Sequence, residues 1–156
     1  MIGWVGLQIL QPIVLLWHEL GHWIPAALLT RGPVGIELGE SPRGFAWGRF
    51  SLRATPTART ARTSYDPGAL GRWGRTIVAI GGPMATTLGA WLGGSLALDP
   101  SQALWLRFSG VVVAWAHIRV LLFTCLPTRG QGESQIGARG ADWRDLHRIW
   151  ASKRGP

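Results

Sequence analysis

The segment His18-Glu19-Leu20-Gly21-His22 brings two imidazoles and one carboxylate close together in the chain. On an α-helix, residues i and i+4 lie on the same face, so His18 and His22 project in the same direction. Two neutral imidazoles at this spacing suit Zn²⁺, and a glutamate beside the first histidine is placed to act as a general base on water. The segment therefore predicts a metal site with hydrolytic chemistry, in which His18 and His22 bind the metal and Glu19 moves the proton.

A third metal ligand is expected later in the chain, because a catalytic zinc normally has three protein ligands and one open position. The candidates are Asp142, Glu133, Asp145, His117 and His147. Asp142 comes just after the last apolar segment, where a helix N-cap or an ion pair is the competing role. Glu133 lies in a Gly-rich loop, and His147 is expected to face solvent or lipid headgroups. His117 lies within an apolar segment, where a packed and hydrogen-bonded histidine is expected.

The metal motif lies inside an apolar segment, which points to a membrane. Segments 2–29, 75–98 and 103–126 are each long enough to cross a ~30 Å hydrocarbon layer at ~1.5 Å per residue. Glu19 is the only formal charge in the first of them, and an unused carboxylate at mid-membrane would cost roughly 2.5–3.5 kcal/mol. The sequence therefore predicts an all-α membrane protein with three transmembrane helices, in one domain over residues 1–156.

Between the first two apolar segments the chain is polar. Residues 34–38 and 45–53 alternate apolar and polar side chains, which predicts a small β-hairpin within 33–55 that turns at 39–44. Residues 56–72 are rich in Thr and Arg and are predicted to form a loop. Residues 140–153 have apolar side chains along one side, which predicts a short amphipathic helix.

The charge distribution predicts the topology of this membrane protein. The formal net charge is +8, and the basic residues gather in 30–74 and from 127 onward, whereas the turn at 99–102 has none. By the positive-inside rule both basic segments are cytoplasmic, so the metal motif lies toward the cytoplasm and no nucleic-acid partner is needed to explain the charge. The single cysteine excludes an internal disulfide, and no cleavable signal peptide is expected, because the first apolar segment is too long.

Gly82-Pro83 in the second apolar segment predicts an interruption of the helical hydrogen bonds. Two interpretations remain open at this point. The interruption is either a packing kink or an opening beside the metal where an extended substrate strand lies. The predicted hairpin would offer an edge to which such a strand could add.

Together these segments resemble the site-2 protease family of intramembrane zinc metalloproteases, particularly its small bacterial members. His18 to His22 matches the family motif H-E-x-G-H, and Gly82 to Thr86 resembles its second motif, G-P-x-x-N. Leu122 to Pro127, followed by Ala141-Asp142-Trp143, resembles the third motif, N-L-L-P and then Asp-Gly. The order of the motifs agrees as well, so the resemblance covers nearly the whole chain.

The resemblance implies a zinc endopeptidase of a bacterial inner membrane that cleaves transmembrane or membrane-anchored proteins. It implies that Asp142 is the last zinc ligand and that Gly82, Pro83 and Thr86 contact the substrate. Thr86 and Thr124 stand where the family has asparagines that help to hold substrate, and Trp143 stands where it has glycine. These departures motivate a rival hypothesis, a catalytically silent membrane protein that binds zinc or a partner helix.

Overall fold

A computed structural model describes the backbone of residues 2–40, 44–56, 58–125 and 141–151, and the side chains of these residues except 2–9, 125 and 141–145. The described chain has four α-helices and four β-strands, together with one short 3-10 helix at Pro67–Ala69. The helices are α1 (Ile2–Leu29), α2 (Arg72–Leu98), α3 (Leu104–Cys125) and α4 (Ala141–Ala151). The strands are β1 (Val34–Leu38), β2 (Gly44–Trp47), β3 (Phe50–Ala54) and β4 (Ala61–Ser64).

The prediction of an all-α fold with a simple hairpin is wrong, because the polar segment forms a four-stranded mixed sheet. The strand order is β2-β3-β1-β4. Strands β2 and β3 form the antiparallel hairpin, with a turn at Gly48, whose φ is 58°. Strand β1 pairs in parallel with β3 and antiparallel with β4. The predicted strand 45–53 is thus two strands, and part of the predicted loop 56–72 is β4.

There is a physical reason why local sequence patterns did not predict this sheet. The alternation along 45–53 is the same whether the segment is one strand or two, and only the positive φ of Gly48 reverses the chain. The parallel pairing of β1 with β3 joins segments separated by a whole hairpin, and β4 has only Ala61 buried along its length. Such pairings are stabilised by tertiary packing, which strand propensity does not encode.

The prediction of three membrane spans is also wrong. Among the described residues, two helices are long and apolar enough to cross a membrane, and they are Arg72–Leu98 and Leu104–Thr124. Helix α1 extends over the predicted residues and contains Pro12 and Pro25, but its described part includes the polar residues of the metal motif. Helix α2 continues through Pro83 as one helix.

Helices α1 and α2 cross in direct backbone contact at two glycines. A Cβ atom added to Gly21 would lie 2.3 Å from the Gly81 carbonyl oxygen, and one added to Gly81 would lie still closer to the Gly21 carbonyl oxygen. The Trp17 indole N–H donates to the Ala85 carbonyl oxygen at 2.7 Å in the same contact. Helix α3 is antiparallel to α2 and packs on its C-terminal half at Gly89 and Gly93, which lie on the same helix face as Gly82 and Thr86. The three helices therefore meet at this one face of α2, and together they form the helical layer.

The sheet packs against the C-terminal half of α1. Buried Ile36 and Leu38 of β1 contact the side of α1 that carries Leu16, Leu20 and Trp23. The Arg49 guanidinium donates to the carbonyl oxygens of Thr30 and Ala27 at the end of α1, the latter at 2.5 Å. These carbonyls have no partner within the helix, and a cation there is favoured by the helix dipole, so the hairpin turn also caps α1.

Helix α4 docks at the N-terminal end of α2. The Arg72 guanidinium stacks on the Trp150 ring at 3.6 Å from its centroid, and the Trp73 ring meets the same indole edge to face at 5.4 Å.

At the opposite end of the layer, the turn between α2 and α3 is held by Asp99. The Ser101 hydroxyl and backbone N–H donate to this carboxylate and keep its pKa below the ordinary value.

We expect Gly21→Ala to destabilise the protein by about 1–3 kcal/mol or more, because the new methyl group would overlap the Gly81 carbonyl and push α1 and α2 apart. Thermal unfolding of the purified protein in detergent would measure the change. Gly94→Ala is the matched control, since a Cβ atom at Gly94 meets nothing within 4 Å. Equal unfolding temperatures for the two variants would show that the helix crossing does not need glycine.

Candidate metal site

The two histidines of the motif are buried side by side between α1 and α2. His18 is 2% exposed and His22 is 8% exposed. Their rings are nearly perpendicular, and their Nε2 atoms lie 3.2 Å apart. Two nitrogens that each lie 2.0–2.1 Å from one tetrahedral zinc are separated by roughly 3.3–3.4 Å. The spacing of these two nitrogens therefore fits two ligands of a common zinc ion.

The Nδ1 atom of His22 is fixed by the backbone of α2. It lies 2.7 Å from the Val78 carbonyl oxygen, which can only accept a hydrogen bond, so Nδ1 is the donor. The Gly82 backbone nitrogen lies 3.3 Å from the same atom, but a protonated Nδ1 has no lone pair with which to accept. In the neutral ring Nε2 is then unprotonated, which is the tautomer that a metal ligand needs.

The Nδ1 atom of His18 lies 2.7 Å from the Thr86 hydroxyl, whose residue is 0% exposed. A hydroxyl both donates and accepts. With a metal at Nε2, Thr86 accepts from the protonated Nδ1. Without a metal, Thr86 can donate to Nδ1, and His18 Nε2–H can donate across the 3.2 Å gap to His22. Threonine at this position therefore satisfies both protonation patterns of the buried pair.

Gly82 provides the space for the His22 ring. A Cβ atom at Gly82 would lie 2.2 Å from Nε2 of His22, so any larger residue would displace a candidate ligand. Pro83 follows inside the continuous helix. The predicted roles of Gly82, Pro83 and Thr86 in substrate binding stay predictions. The structure adds that Gly82 contacts His22 and that Thr86 contacts His18.

Glu19 contacts the sheet through its side chain. Its side chain is 6% exposed, and its Oε2 atom accepts a hydrogen bond of 2.7 Å from the Thr63 hydroxyl of β4. The same hydroxyl lies 3.2 Å from the Glu19 backbone oxygen. A carboxylate in a buried place needs such a donor. The contact orients Glu19 and couples the metal motif to the edge strand of the sheet.

The third ligand is not found among the described side chains. In this part of the chain no group of three or more His, Cys, Asp or Glu side chains is arranged to hold a metal ion. The backbone of Asp142 and Asp145 lies in the first half of α4, but their side chains, like all of Glu133, are outside the described residues. His147 is exposed on α4, in agreement with the expectation that it faces outward.

His117 of α3 lies beside the site but does not join it. The ring is buried against Gly89 of α2, where a Cβ atom would come within 2.4 Å of it, and it meets the Trp17 ring edge to face at 6.5 Å. The prediction of a packed histidine is therefore confirmed. The expected hydrogen bond is not seen at Nδ1 of this ring, which has no partner among the described residues.

Sequence reasoning missed two residues that orient the motif, Thr63 and Val78. Val78 acts through its carbonyl oxygen, which every residue type has, so no sequence signal could have identified it. Thr63 lies in a run rich in Thr and Arg and looked like any other loop residue. A buried glutamate does require a nearby donor, and this is the one signal that could have prompted a search for Thr63.

No family model, curated protein or solved structure that was compared with the chain matches it. The resemblance to the site-2 protease family therefore depends on the motif residues alone.

We expect Thr86→Val to lower the zinc affinity by roughly 10–100-fold, because the change keeps the side-chain volume but removes the partner that orients His18. Competition with a chromophoric zinc chelator in detergent would measure the affinity. Thr87→Val is the matched control, since the Thr87 hydroxyl is exposed and donates within its own helix to Pro83 at 2.8 Å. An unchanged affinity in Thr86→Val would contradict the proposed role of this hydroxyl.

Proposed function

We propose that this protein is a membrane-embedded zinc endopeptidase that hydrolyses peptide bonds of transmembrane or membrane-anchored proteins. The main support is the 3.2 Å separation of the Nε2 atoms of His18 and His22. The Nδ1 atoms of the two rings contact Thr86 and the Val78 carbonyl oxygen of α2, and these contacts can set which ring nitrogen carries the proton. In this arrangement the two rings present their Nε2 atoms at the spacing that two ligands of one divalent cation need.

The chain's own residues would divide the chemistry in the following way. His18 and His22 would hold Zn²⁺, which when bound lowers the pKa of water and polarises a scissile carbonyl. Glu19, held by Thr63 at 2.7 Å, would take a proton from the attacking water and pass it to the leaving amine. The orienting contact leaves one carboxylate oxygen of Glu19 for this proton transfer, since Thr63 occupies Oε2.

Asp142 is the proposed third ligand, and the docking of α4 supports it. Trp150 of α4 stacks on Arg72 and Trp73 at the N-terminal end of α2. Val78, which contacts His22, follows Trp73 by five residues on the same helix, or ~7.5 Å along the axis. Helix α4 is therefore held at the end of the helical layer where the two histidines lie.

The membrane orientation follows from α2 and α3, which form a helical hairpin. Both ends of such a hairpin emerge on the same side, so the basic segments 30–74 and 127–156 share one side. By the positive-inside rule that side is the cytoplasm, and the metal site would open toward it. We propose a multi-pass protein of a bacterial inner membrane on this basis.

The substrate would be an extended segment that adds to the sheet near Glu19. Strand β4 lies at one edge of the described sheet, and its Thr63 contacts the proposed general base. A peptide paired with β4 would therefore run past the site, which matches strand addition as a mode of recognition.

We expect Glu19→Gln to reduce peptide cleavage by roughly 10²–10⁴-fold, because the amide cannot accept the proton from water. The zinc content should stay the same, since Glu19 is not a proposed ligand. Mass spectrometry of products from membrane-anchored reporter proteins, together with metal analysis of the purified protein, would measure both quantities.

The control for this experiment is Glu37→Gln, which alters a carboxylate on β1 that pairs with Arg53 at 3.4 Å, away from the motif. This variant should cleave like the unaltered protein. If the unaltered protein binds zinc but cleaves no reporter, and Glu19→Gln has no effect on partner binding, the rival hypothesis of a catalytically silent binding protein is favoured.

We expect Asp142→Ala to lower the zinc affinity by at least ~100-fold, because loss of a ligand should exceed the effect of losing an orienting contact. Asp145→Ala and Glu133→Ala are the matched controls and should bind zinc normally. A large loss in Glu133→Ala with no loss in Asp142→Ala would move the third ligand to the Gly-rich loop.

A further inference from the structure

Helix α3 is apolar but carries an arginine, Arg119, six residues before its end. Its guanidinium donates to the Gln11 side-chain oxygen of α1 at 3.2 Å and lies 6.0 Å from the centroid of the Phe123 ring. Both partners are neutral. Glu19 is the one carboxylate in the sequences of α1, α2 and α3, and it is held by Thr63. Among the described side chains, the positive charge of Arg119 therefore has no carboxylate partner.

The depth of this charge makes it costly. Arg119 precedes the end of α3 at Cys125 by six residues, or ~9 Å of helix. Helical side chains lean toward the N-terminus of their own helix, and for Arg119 this direction leads away from the nearer end of α3. Its partner Gln11 lies about two turns before His18 on α1, which runs parallel to α3. The guanidinium therefore points to the interior of the helical layer and not to the nearer surface.

The surface around Arg119 has room for another helix. Helix α3 packs closely on α2 but touches α1 much less, and the Arg119–Gln11 hydrogen bond spans the surface between α1 and α3, which is here called the groove. Two large apolar side chains one turn before and one turn after Arg119 on the same face of α3 are exposed, namely Trp115 (54%) and Leu122 (48%). An apolar surface with one half-buried charge is the surface that a polar transmembrane helix complements.

We propose that the groove between α1 and α3 binds a transmembrane helix that carries an aspartate or glutamate near mid-membrane, whose carboxylate pairs with Arg119. A guanidinium and a carboxylate form paired, charge-assisted hydrogen bonds, and this pairing removes the cost of both charges in the membrane. The inference rests on the proposed placement of α2 and α3 in the membrane. It adds to the proposed function a class of substrate or partner helix defined by its acidic residue.

A lipid phosphate is a less suitable partner for this arginine. The Arg119 side chain extends toward Gln11 and the middle of the layer, whereas phosphate groups lie at the membrane surface. A carboxylate on a transmembrane helix can be placed at any depth. The charge complementarity at this depth therefore favours a helix as the occupant of the groove.

The test measures binding of apolar transmembrane peptides of about 20 residues, the length that spans a bilayer. One peptide has a central Glu, and its matched partner has Gln at the same position. Both lack tryptophan and carry a dansyl acceptor, so that energy transfer from the ten tryptophans of the full chain reports binding in phosphatidylcholine vesicles. We expect the Glu peptide to bind at least ~10-fold more tightly than the Gln peptide.

Arg119→Leu should bind the two peptides equally, and Arg119→Lys should keep part of the preference. Arg107→Leu is the matched control near the other end of the same helix, where the Arg107 guanidinium donates to the Ala97 carbonyl oxygen at 3.1 Å, and it should keep the full preference. Unchanged zinc affinity in each variant would confirm that it is folded.

Three results would overturn the proposal. These are equal binding of both peptides by the unaltered chain, a Glu preference that survives in Arg119→Leu, and loss of the preference on adding phosphatidylglycerol, which would assign the guanidinium to lipid headgroups. Repeating the measurement in Glu19→Gln separates this result from the protease proposal. Peptide binding in that variant does not depend on cleavage. The preference for the Glu peptide can therefore be confirmed or contradicted even if the protein hydrolyses no peptide.

Discussion

The burial of two imidazoles against the backbone of a neighbouring helix is the interaction on which the site depends. His18 and His22 lie on α1, but their Nδ1 atoms are bound by Thr86 and by the Val78 carbonyl oxygen of α2. Neither ring could hold its orientation if α1 were alone. The tight crossing at Gly21 and Gly81 brings the two backbones close enough for both contacts. Packing of small residues between the helices thus sets the geometry of the candidate metal site.

The sheet extends this dependence to the proposed general base. Thr63 lies on β4, which pairs with β1 and also contacts α1. Strand β1 in turn packs on α1, and Arg49 of the hairpin turn caps the end of that helix. The polar segment between α1 and α2 therefore does more than connect them, because it supplies the hydrogen bond that orients Glu19.

The same layer of helices has a second polar feature that the metal site does not use. Arg119 and Gln11 bridge α1 and α3, which touch each other less than either helix touches α2. His117 occupies the interior beside α2, and Gly89 provides its space. Polar groups among so many apolar ones are expected to have functions, since each costs free energy in a membrane. In this protein they lie at two places, one toward the sheet and one within the groove.

The sequence by itself determined the metal motif and the helices. The i, i+4 spacing of His18 and His22 is a local property of one helix, and long apolar runs specify helices almost regardless of context. The sequence also placed two helices that are long and apolar enough to cross a membrane, within a few residues of their ends. It did not determine the number of such helices, because the polar motif inside α1 makes this helix differ from the other two.

Only the tertiary structure decided which residues serve the motif. The parallel pairing of β1 with β3, the existence of β4 and the contact of Thr63 with Glu19 all join segments distant in the chain. Gly82 looked like a helix breaker, yet it makes room for the His22 ring inside a continuous helix. A periodic pattern records which face of a segment is apolar, but not which other segment covers that face. That information is held in the packing of α1 between α2 and the sheet.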